Sequence, residues 1–270
     1  MNTGEGIRLS THNDDVIPTV IFERVNEVTY TNQNPKVLEQ TEVFYKRANV
    51  PEIFSGIGKT IISYPSLAQK IVGSAWHEFS DIMPWVLCTL ASKVNTNLVR
   101  HYIIQGAFEE LGGRNCNDIH PDQFLSALNV AGIRDVDIKN YQEKYSNRKA
   151  IGRLVDNVKS LTETSEVLGF GLGLEIPAVE NIETVFSALT PSLELKEKVA
   201  ETPFFKIHRV IEEEHIRLHT SNFLRFCSSD VEKEQFYKGF DLAIRFWMIF
   251  WSEAALLTKE EALSSQPSMA

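Results

Sequence analysis

The sequence predicts an all-α protein, and three observations support this fold class. Apolar residues recur at spacings of three and four from about Pro35 to Leu257, which is the period of an amphipathic helix. Alternating strand patterns bounded by Asn-Gly or Asp-Gly turns are absent from the sequence. A length of 270 residues, 43% of them apolar, is enough for one large domain to bury its own core.

The predicted helices end at residues that favour helix termination or initiation. Gly112 and Gly113 follow the helix that closes in Phe-Glu-Glu-Leu, and Pro121 opens the next helix. Pro203 starts a long helix near the C-terminal end. Pro177 should kink its helix, because proline removes one ladder hydrogen bond. Helices are predicted over residues 35–48, 65–94, 97–111, 121–132, 136–145, 150–160, 163–187, 192–200, 203–227 and 231–257.

The chain is expected to consist of an N-terminal tail or short appendage over residues 1–30 and one helical domain over residues 31–270. A net charge of −9 argues against a nucleic-acid partner, which needs a surplus of Lys and Arg. The start of the chain lacks the features of a signal peptide, and charges interrupt the most apolar stretch. Three scattered cysteines suit neither a disulfide framework nor a zinc knuckle. A cytoplasmic protein without membrane attachment is therefore expected.

The predicted helix over residues 203–227 carries ionisable side chains on its apolar face. At 100° per residue, four of them fall within about 60° of one another: His208, Glu212, His215 and His219. This helix alone would also fit an exposed polar stripe or a set of hydrogen-bonded core histidines. These four residues indicate a metal site only when ionisable residues of other helices are considered with them.

Two more carboxylates and one histidine occupy similar positions. Glu110 lies in the last turn of its helix, where a negative charge opposes the helix dipole, and His120 opens the following helix. Glu175 shares a face with apolar and small residues, next to a run of three glycines that indicates a close approach of backbones. The alternatives are a solvated helix end for Glu110, a capping or surface histidine for His120, and an exposed helix break for Glu175.

Considered together, the three carboxylates and the imidazoles of His120, His208 and His215 predict a metal centre. Each would carry a burial penalty of several kcal/mol if it had no partner, and no lysine or arginine lies on the same stripes. A shared metal centre removes all of these penalties at once. Carboxylate and imidazole ligands without thiolate suit iron or manganese better than structural zinc, and the number of ligands suits two ions.

The order of these residues distinguishes two kinds of dimetal bundle. A ferritin-like bundle would need two Glu-x-x-His motifs, and this sequence has one, Glu212 to His215. The arrangement Glu110-x9-His120, then Glu175, then His208-x3-Glu212-x2-His215 instead resembles the heme-oxygenase-like dimetal oxidases, relatives of the PQQ-synthesis oxidase and thiaminase-like folds.

The segment FEELGGRNCNDIHPDQFLSALNVAGI is similar to the Glu-(Leu/His)-Gly…His segment of that family, and the resemblance extends over residues 60–257. It implies a heme-oxygenase-like helical bundle in which all six residues are metal ligands. The family usually has Asp where this chain has Glu212.

The resemblance also implies an activity. In such proteins two ferrous ions activate dioxygen as a co-substrate and heme is not the cofactor. It implies a small substrate, namely an amine, an amino acid or a fatty acid, and we favour an amino-acid-derived one in specialised metabolism. N-oxygenation, oxidative C–C cleavage, desaturation and nitrile formation stay open, and a homodimer is possible. The alternatives are a metal-free enzyme of the same fold, either a thiaminase-like hydrolase or a cofactorless oxidase, and a non-catalytic helical binding module.

Some roles stay open at this point. Glu78 or Asp81 could supply a seventh ligand, although the apolar stripe of their helix lies roughly opposite both. His219 could support a ligand, contact the substrate or be a core histidine. We further expect Glu175 to bridge the two ions or to link their ligand sets, with His208 and Glu212 serving one ion and His215 the other.

Overall fold

Twelve helices and no strand make up the described part of the chain, residues 34–144 and 149–265, in a computed structural model. The predicted all-α fold is confirmed, and the expected appendage over residues 1–30 lies outside the described residues. In chain order the helices are α1 (Pro35–Ala48), α2 (Val50–Ser63), α3 (Pro65–Lys93), α4 (Asn97–Glu110), α5 (His120–Val130), α6 (Asp135–Lys144), α7 (Lys149–Ser160), α8 (Thr164–Glu175), α9 (Ala178–Leu189), α10 (Leu193–Ala200), α11 (Pro203–Phe226) and α12 (Asp230–Ser264).

Helix α2 is absent from the predicted elements. Its sequence contains Gly56 and Gly58 and several β-branched residues, all of which have low intrinsic helix propensity. The helix forms nevertheless, because Val50, Ile53 and Ile57 lie on one face and are buried. Tertiary packing thus overrides local propensity in this segment.

The single helix predicted over residues 163–187 is in fact two helices, α8 and α9. The interruption falls at Pro177, which precedes the first residue of α9 and has no N–H to donate to the ladder. The expected kink is therefore a complete break. As a result α8 ends at Glu175, two residues before this proline.

The last helix, α12, is longer than predicted. It continues past the expected end at residue 257 through a polar stretch rich in helix-forming residues, as far as Ser264. Within the described segments, no helix is both long and apolar enough to cross a membrane.

Aromatic side chains of α3 and α12 form the centre of the core. The ring of Trp247 is 5.9 Å from that of Trp76 and 4.8 Å from that of Phe79, measured between centroids. The Trp247 Nε1–H also donates a hydrogen bond of 3.1 Å to the carbonyl oxygen of Leu174. This bond ties α12 to the end of α8, next to Glu175.

The backbones of α8 and α12 touch where the two helices cross. A Cβ added at Gly169 would lie 1.9 Å from the carbonyl oxygen of Phe236, and one added at Gly239 would lie 1.9 Å from that of Glu166. Only glycine permits such an approach. The close contact predicted from the glycine run is confirmed, and it fixes the position of α8 against the core.

Candidate metal centre

Four helices bring all six predicted ligands to the lining of one cavity of about 150 Å³. Each of α4, α5 and α8 contributes one residue at its end, and α11 contributes three from its middle. The six residues are Glu110, His120, Glu175, His208, Glu212 and His215.

The turn after α4 positions the first two of these residues. Gly112 and Gly113 have φ angles of +83° and +60°, which are unfavourable for other residue types. The Gly113 N–H donates to the carbonyl oxygen of Phe108 at 2.7 Å and so closes the end of α4. Glu110 therefore lies at the last position of α4, and the chain returns so that His120, the first residue of α5, faces it.

Glu110, His120 and His208 form a first group of candidate ligands, which we call group A. Each offers a ligand atom, and these atoms all lie within 4.8 Å of one another. The Nδ1 of His120 is 3.3 Å from Glu110 Oε2, and its ring is 4.6 Å from the ring of His208. Burial lowers the pKa of His120, but the adjacent Glu110 carboxylate outweighs this effect and raises the pKa overall.

Glu175, Glu212 and His215 form a second group, group B, with ligand atoms again within 4.8 Å of one another. The Nδ1 of His215 is 3.9 Å from Glu212 Oε2. In this grouping Glu212 lies with Glu175 and His215 rather than with His208. That His208 and Glu212 serve one ion stays a prediction. Glu212 is about 6 Å from His208 along the helix axis but only about 4.5 Å from His215, on the side that Glu175 approaches.

The carboxylates of the two groups influence one another. Burial, followed by the charges of Glu110 and Glu109, raises the pKa of Glu175 to about 8. Burial also raises the pKa of Glu212 well above its ordinary value, with further contributions from Glu175 and Glu110. Buried carboxylates this close together repel one another when they are charged, and a cation between them would remove the repulsion.

His208 of group A has the orientation and the protonation state of a metal-binding imidazole. The Nδ1 of His208 lies 2.8 Å from the carbonyl oxygen of Phe204, and burial, followed by the proximity of His120, lowers the pKa of His208 to about 4. His208 is therefore neutral at physiological pH, as a metal-binding imidazole must be.

The donor set fits two iron ions. Each group combines imidazole with carboxylate and contains no thiolate, which is the ligand chemistry of non-heme iron or manganese rather than of structural zinc. Two groups of three candidate ligands match the number that two ions would need, and the binding of two ions stays a prediction. That Glu175 bridges the ions stays a prediction.

The sequence left open whether Glu78 or Asp81 supplies a seventh ligand, and the structure places neither of them among the candidate ligands. Neither Glu78 nor Asp81 belongs to group A or B, and neither lines the cavity. Glu109 does line it, with Oε2 3.9 Å from His215 Nε2. Sequence reasoning missed Glu109, although its position directly before Glu110 at the end of α4 was an available signal.

Beyond the two groups the cavity is mostly apolar. Its lining includes Met83, Leu87 and Leu90 of α3 and the ring of Trp247. His219, whose role the sequence left open, also borders this space. The cavity thus places an apolar chamber beside the candidate ligands.

A second pocket lies on another side of α11, between this helix and α9. It is lined by His208 and Glu212, which also line the apolar cavity, and by charged residues such as Arg209 and Glu183. Arg209 Nε donates to Glu183 Oε1 at 2.7 Å. His208 and Glu212 therefore border both an apolar and a charged compartment.

The chain was also compared with known proteins. It is similar to the crystal structure of a CADD-like protein of unknown function from Nostoc punctiforme PCC 73102, with 17% identity and a TM-score of 0.62 over 88% of this chain and 100% of that one. A second structure of that protein gives 16% identity and a TM-score of 0.61 over 83% of this chain and 99% of that one. Among curated proteins no match is found.

These likenesses confirm the predicted heme-oxygenase-like helical bundle. In addition, residues 76–248 match a family described as iron-containing redox enzymes, and this stretch includes all six candidate ligands. The chain therefore belongs to this family of iron-containing redox enzymes.

Proposed function

We propose that the protein is a non-heme di-iron oxidase or oxygenase that uses dioxygen to oxidise a small organic molecule in the apolar cavity. The observation that carries the proposal is the division of six predicted ligands into two adjacent groups of three. Ferrous ions bound in groups A and B would supply electrons for the reduction of dioxygen.

The residues of the chain have separate tasks in this proposal. Group A and group B hold the ions, and the hydrogen bond from His208 to the Phe204 carbonyl oxygen orients one imidazole. Apolar side chains such as Met83 and Leu90 exclude water and bind the body of the substrate. Trp247 closes this chamber from the side of α12.

The metal-free alternative finds little support in the cavity. A hydrolase of this fold that used a nucleophilic cysteine would need a thiol at the substrate site. Cys88 and Cys116 are exposed, Cys227 is buried, and none of the three lines the cavity. Burial raises the pKa of Cys227 to about 11, which keeps this thiol protonated and weakly nucleophilic.

The proposal is tested by metal content and oxygen uptake. After anaerobic loading with ferrous iron and removal of free metal, the protein should retain close to two iron ions per chain and consume oxygen on exposure to air. Zinc should bind without oxygen consumption, because it has no redox chemistry. A folded protein that retains no iron would contradict the proposal.

A pair of histidine variants provides the control. His215→Ala removes a group B ligand and should lower the iron content, whereas His101→Ala changes an exposed histidine of α4 outside the cavity and should leave it unchanged. Equal iron contents in the two variants would show that metal binds elsewhere.

A further inference from the structure

His219 is a deeply placed histidine that belongs to neither group of candidate ligands. It lies one turn after His215 on α11, about 6 Å further along the helix axis, and borders the apolar cavity. A Cβ added at Gly171 of α8 would lie 3.1 Å from its Cε1 and 3.3 Å from its Nδ1, so glycine provides the space that the ring occupies.

The two nitrogens of this ring have different surroundings. Nδ1 is sealed from solvent and has no hydrogen-bond partner among the described residues. Nε2 is not sealed from solvent as Nδ1 is. Because the ring borders the cavity, Nε2 is the ring nitrogen that can form a hydrogen bond with a bound molecule. Burial, followed by the proximity of His215, lowers the pKa of His219 to about 4, so the ring is neutral.

His219 lies towards one end of an elongated site. Glu109 of α4 lies 3.9 Å from His215, and Tyr102 of the same helix accepts a hydrogen bond of 3.3 Å from Arg225. Helices α4 and α11 therefore run antiparallel along the cavity. The candidate ligands lie at one end, and beyond His215 the lining continues with His219 and the buried Asn222.

The charge of the lining restricts what this end can bind. Among the described residues that line the cavity there is no Lys or Arg, whereas four carboxylates are present. An anionic group beside His219, beyond the two groups of candidate ligands, would meet no cationic side chain, and a buried charge without a partner is strongly disfavoured. A neutral imidazole, by contrast, forms a hydrogen bond with a hydroxyl or an amide.

We infer that His219 is a substrate-binding residue, and that the substrate is an apolar molecule carrying an uncharged hydroxyl or amide that Nε2 of His219 binds. The inference rests on the proposed function only in identifying the apolar cavity as the substrate site. It names the chemical class that this site selects, namely apolar molecules with one uncharged polar end.

The test compares two probes that differ in one group, 1-hexanol and 1-fluorohexane. Their binding to the protein loaded anaerobically with ferrous iron is followed by the fluorescence of Trp76 and Trp247, which line the cavity. Removing the hydroxyl from water opposes the binding of 1-hexanol in every variant, so the ratio of the two affinities is compared between variants. One hydrogen bond of ordinary strength to His219 should raise the preference for 1-hexanol in the wild-type protein about fivefold to tenfold above that of His219→Leu. The same ratio in both proteins would overturn the inference.

Variants then assign the preference to His219. His219→Leu should lose this factor of about fivefold to tenfold while retaining its affinity for 1-fluorohexane, and His219→Gln should keep part of it. His77→Leu is the matched control, because this half-buried histidine of α3 does not line the cavity, and its affinity ratio should equal that of wild type. If His219→Leu does not fold, His219→Asn, which is polar but shorter, should show the same loss. A wild-type affinity ratio in His219→Leu or His219→Asn would overturn the inference.

Iron content measured on the same samples separates this inference from the proposed function. His219→Leu should retain the iron of the wild-type protein, since His219 is not a member of group A or B. A protein that binds iron but shows no preference dependent on His219 leaves the proposed function standing and refutes the inference. A protein that binds no iron but whose preference depends on His219 refutes the proposed function and supports the inference.

Discussion

The imidazole of His208 is held by the backbone of its own helix, through the 2.8 Å contact between its Nδ1 and the carbonyl oxygen of Phe204. A carbonyl oxygen can only accept a hydrogen bond, so Nδ1 carries the proton and the lone pair is on Nε2. The ring of Phe204 stacks on that of His208 at a centroid distance of 4.0 Å. Tautomer and orientation are therefore both set before any metal binds.

The first prediction concerns the independence of the two groups. His208→Ala removes a ligand of group A but leaves all three residues of group B in place, so it should retain about half of the wild-type iron. Anaerobic loading followed by elemental analysis measures this, with His77→Ala as the control. Retention of both ions, or loss of both, would contradict the division into two groups.

The second prediction concerns the carboxylate of Glu175. Glu175→Gln keeps the shape but removes a carboxyl whose pKa burial and neighbouring carboxylates raise to about 8. It should lower iron content and oxygen uptake together, yet raise the thermal midpoint of the metal-free protein at pH 7, because folding no longer requires this carboxyl to take up a proton. Glu234→Gln, an exposed position on α12, should change none of these quantities. Full iron content in Glu175→Gln would refute its assignment as a ligand.

The third prediction concerns the contact between α8 and α12. Gly169→Ala forces a methyl group onto the carbonyl oxygen of Phe236, and should cost about 3 kcal/mol or more of the free energy of unfolding because backbone cannot rotate away. Gly152→Ala is the matched control on α7, where a Cβ meets nothing within 4 Å, and it should stabilise by about 0.5–1 kcal/mol. Urea unfolding measures both, and similar effects would contradict the close crossing.

The fourth prediction concerns pH and the buried Glu166. Burial alone raises its pKa, but hydrogen bonds from Lys238 and from the N–H groups of Thr162 and Glu163 outweigh this and lower the pKa below 4.5. The stability contributed by this carboxylate is therefore present above pH 4.5 and is lost as the pH falls through the lowered value.

Glu166→Gln should accordingly reduce the free energy of unfolding by about 2 kcal/mol at pH 7, and the deficit should shrink below pH 4.5. Urea titrations at several pH values measure this difference. Glu197→Gln, on the exposed face of α10, should show no deficit at any pH. A deficit for Glu166→Gln that is independent of pH would show that the carboxylate charge has no part in it.

Much of the candidate site was predictable from sequence, because helical periodicity reports which side chains face inward. His208, Glu212 and His215 lie on one stripe, and that stripe does face the cavity. The pairing across helices was not predictable in the same way. Glu212 joins Glu175 rather than His208, since the approach of α8 depends on glycine contacts with α12 that are distant in sequence.

The remaining differences between the sequence-based predictions and the structure have local causes. Helix α2 exists because burial of residues such as Ile53 compensates for the low propensity of Gly56 and Gly58, and propensity alone does not reveal this. Glu109 was missed because it directly precedes Glu110 in the last turn of α4, and two adjacent residues on a helix normally point in different directions. Near the last turn both reach the cavity.

The two pockets meet where His208 and Glu212 of α11 and Ile182 of α9 line both of them. An organic molecule that fills the apolar chamber leaves the charged side, where Arg209 and Glu183 lie, open to small polar species. These two candidate ligands are therefore bordered by two compartments of opposite polarity, and one of the compartments can stay hydrated while the other is filled.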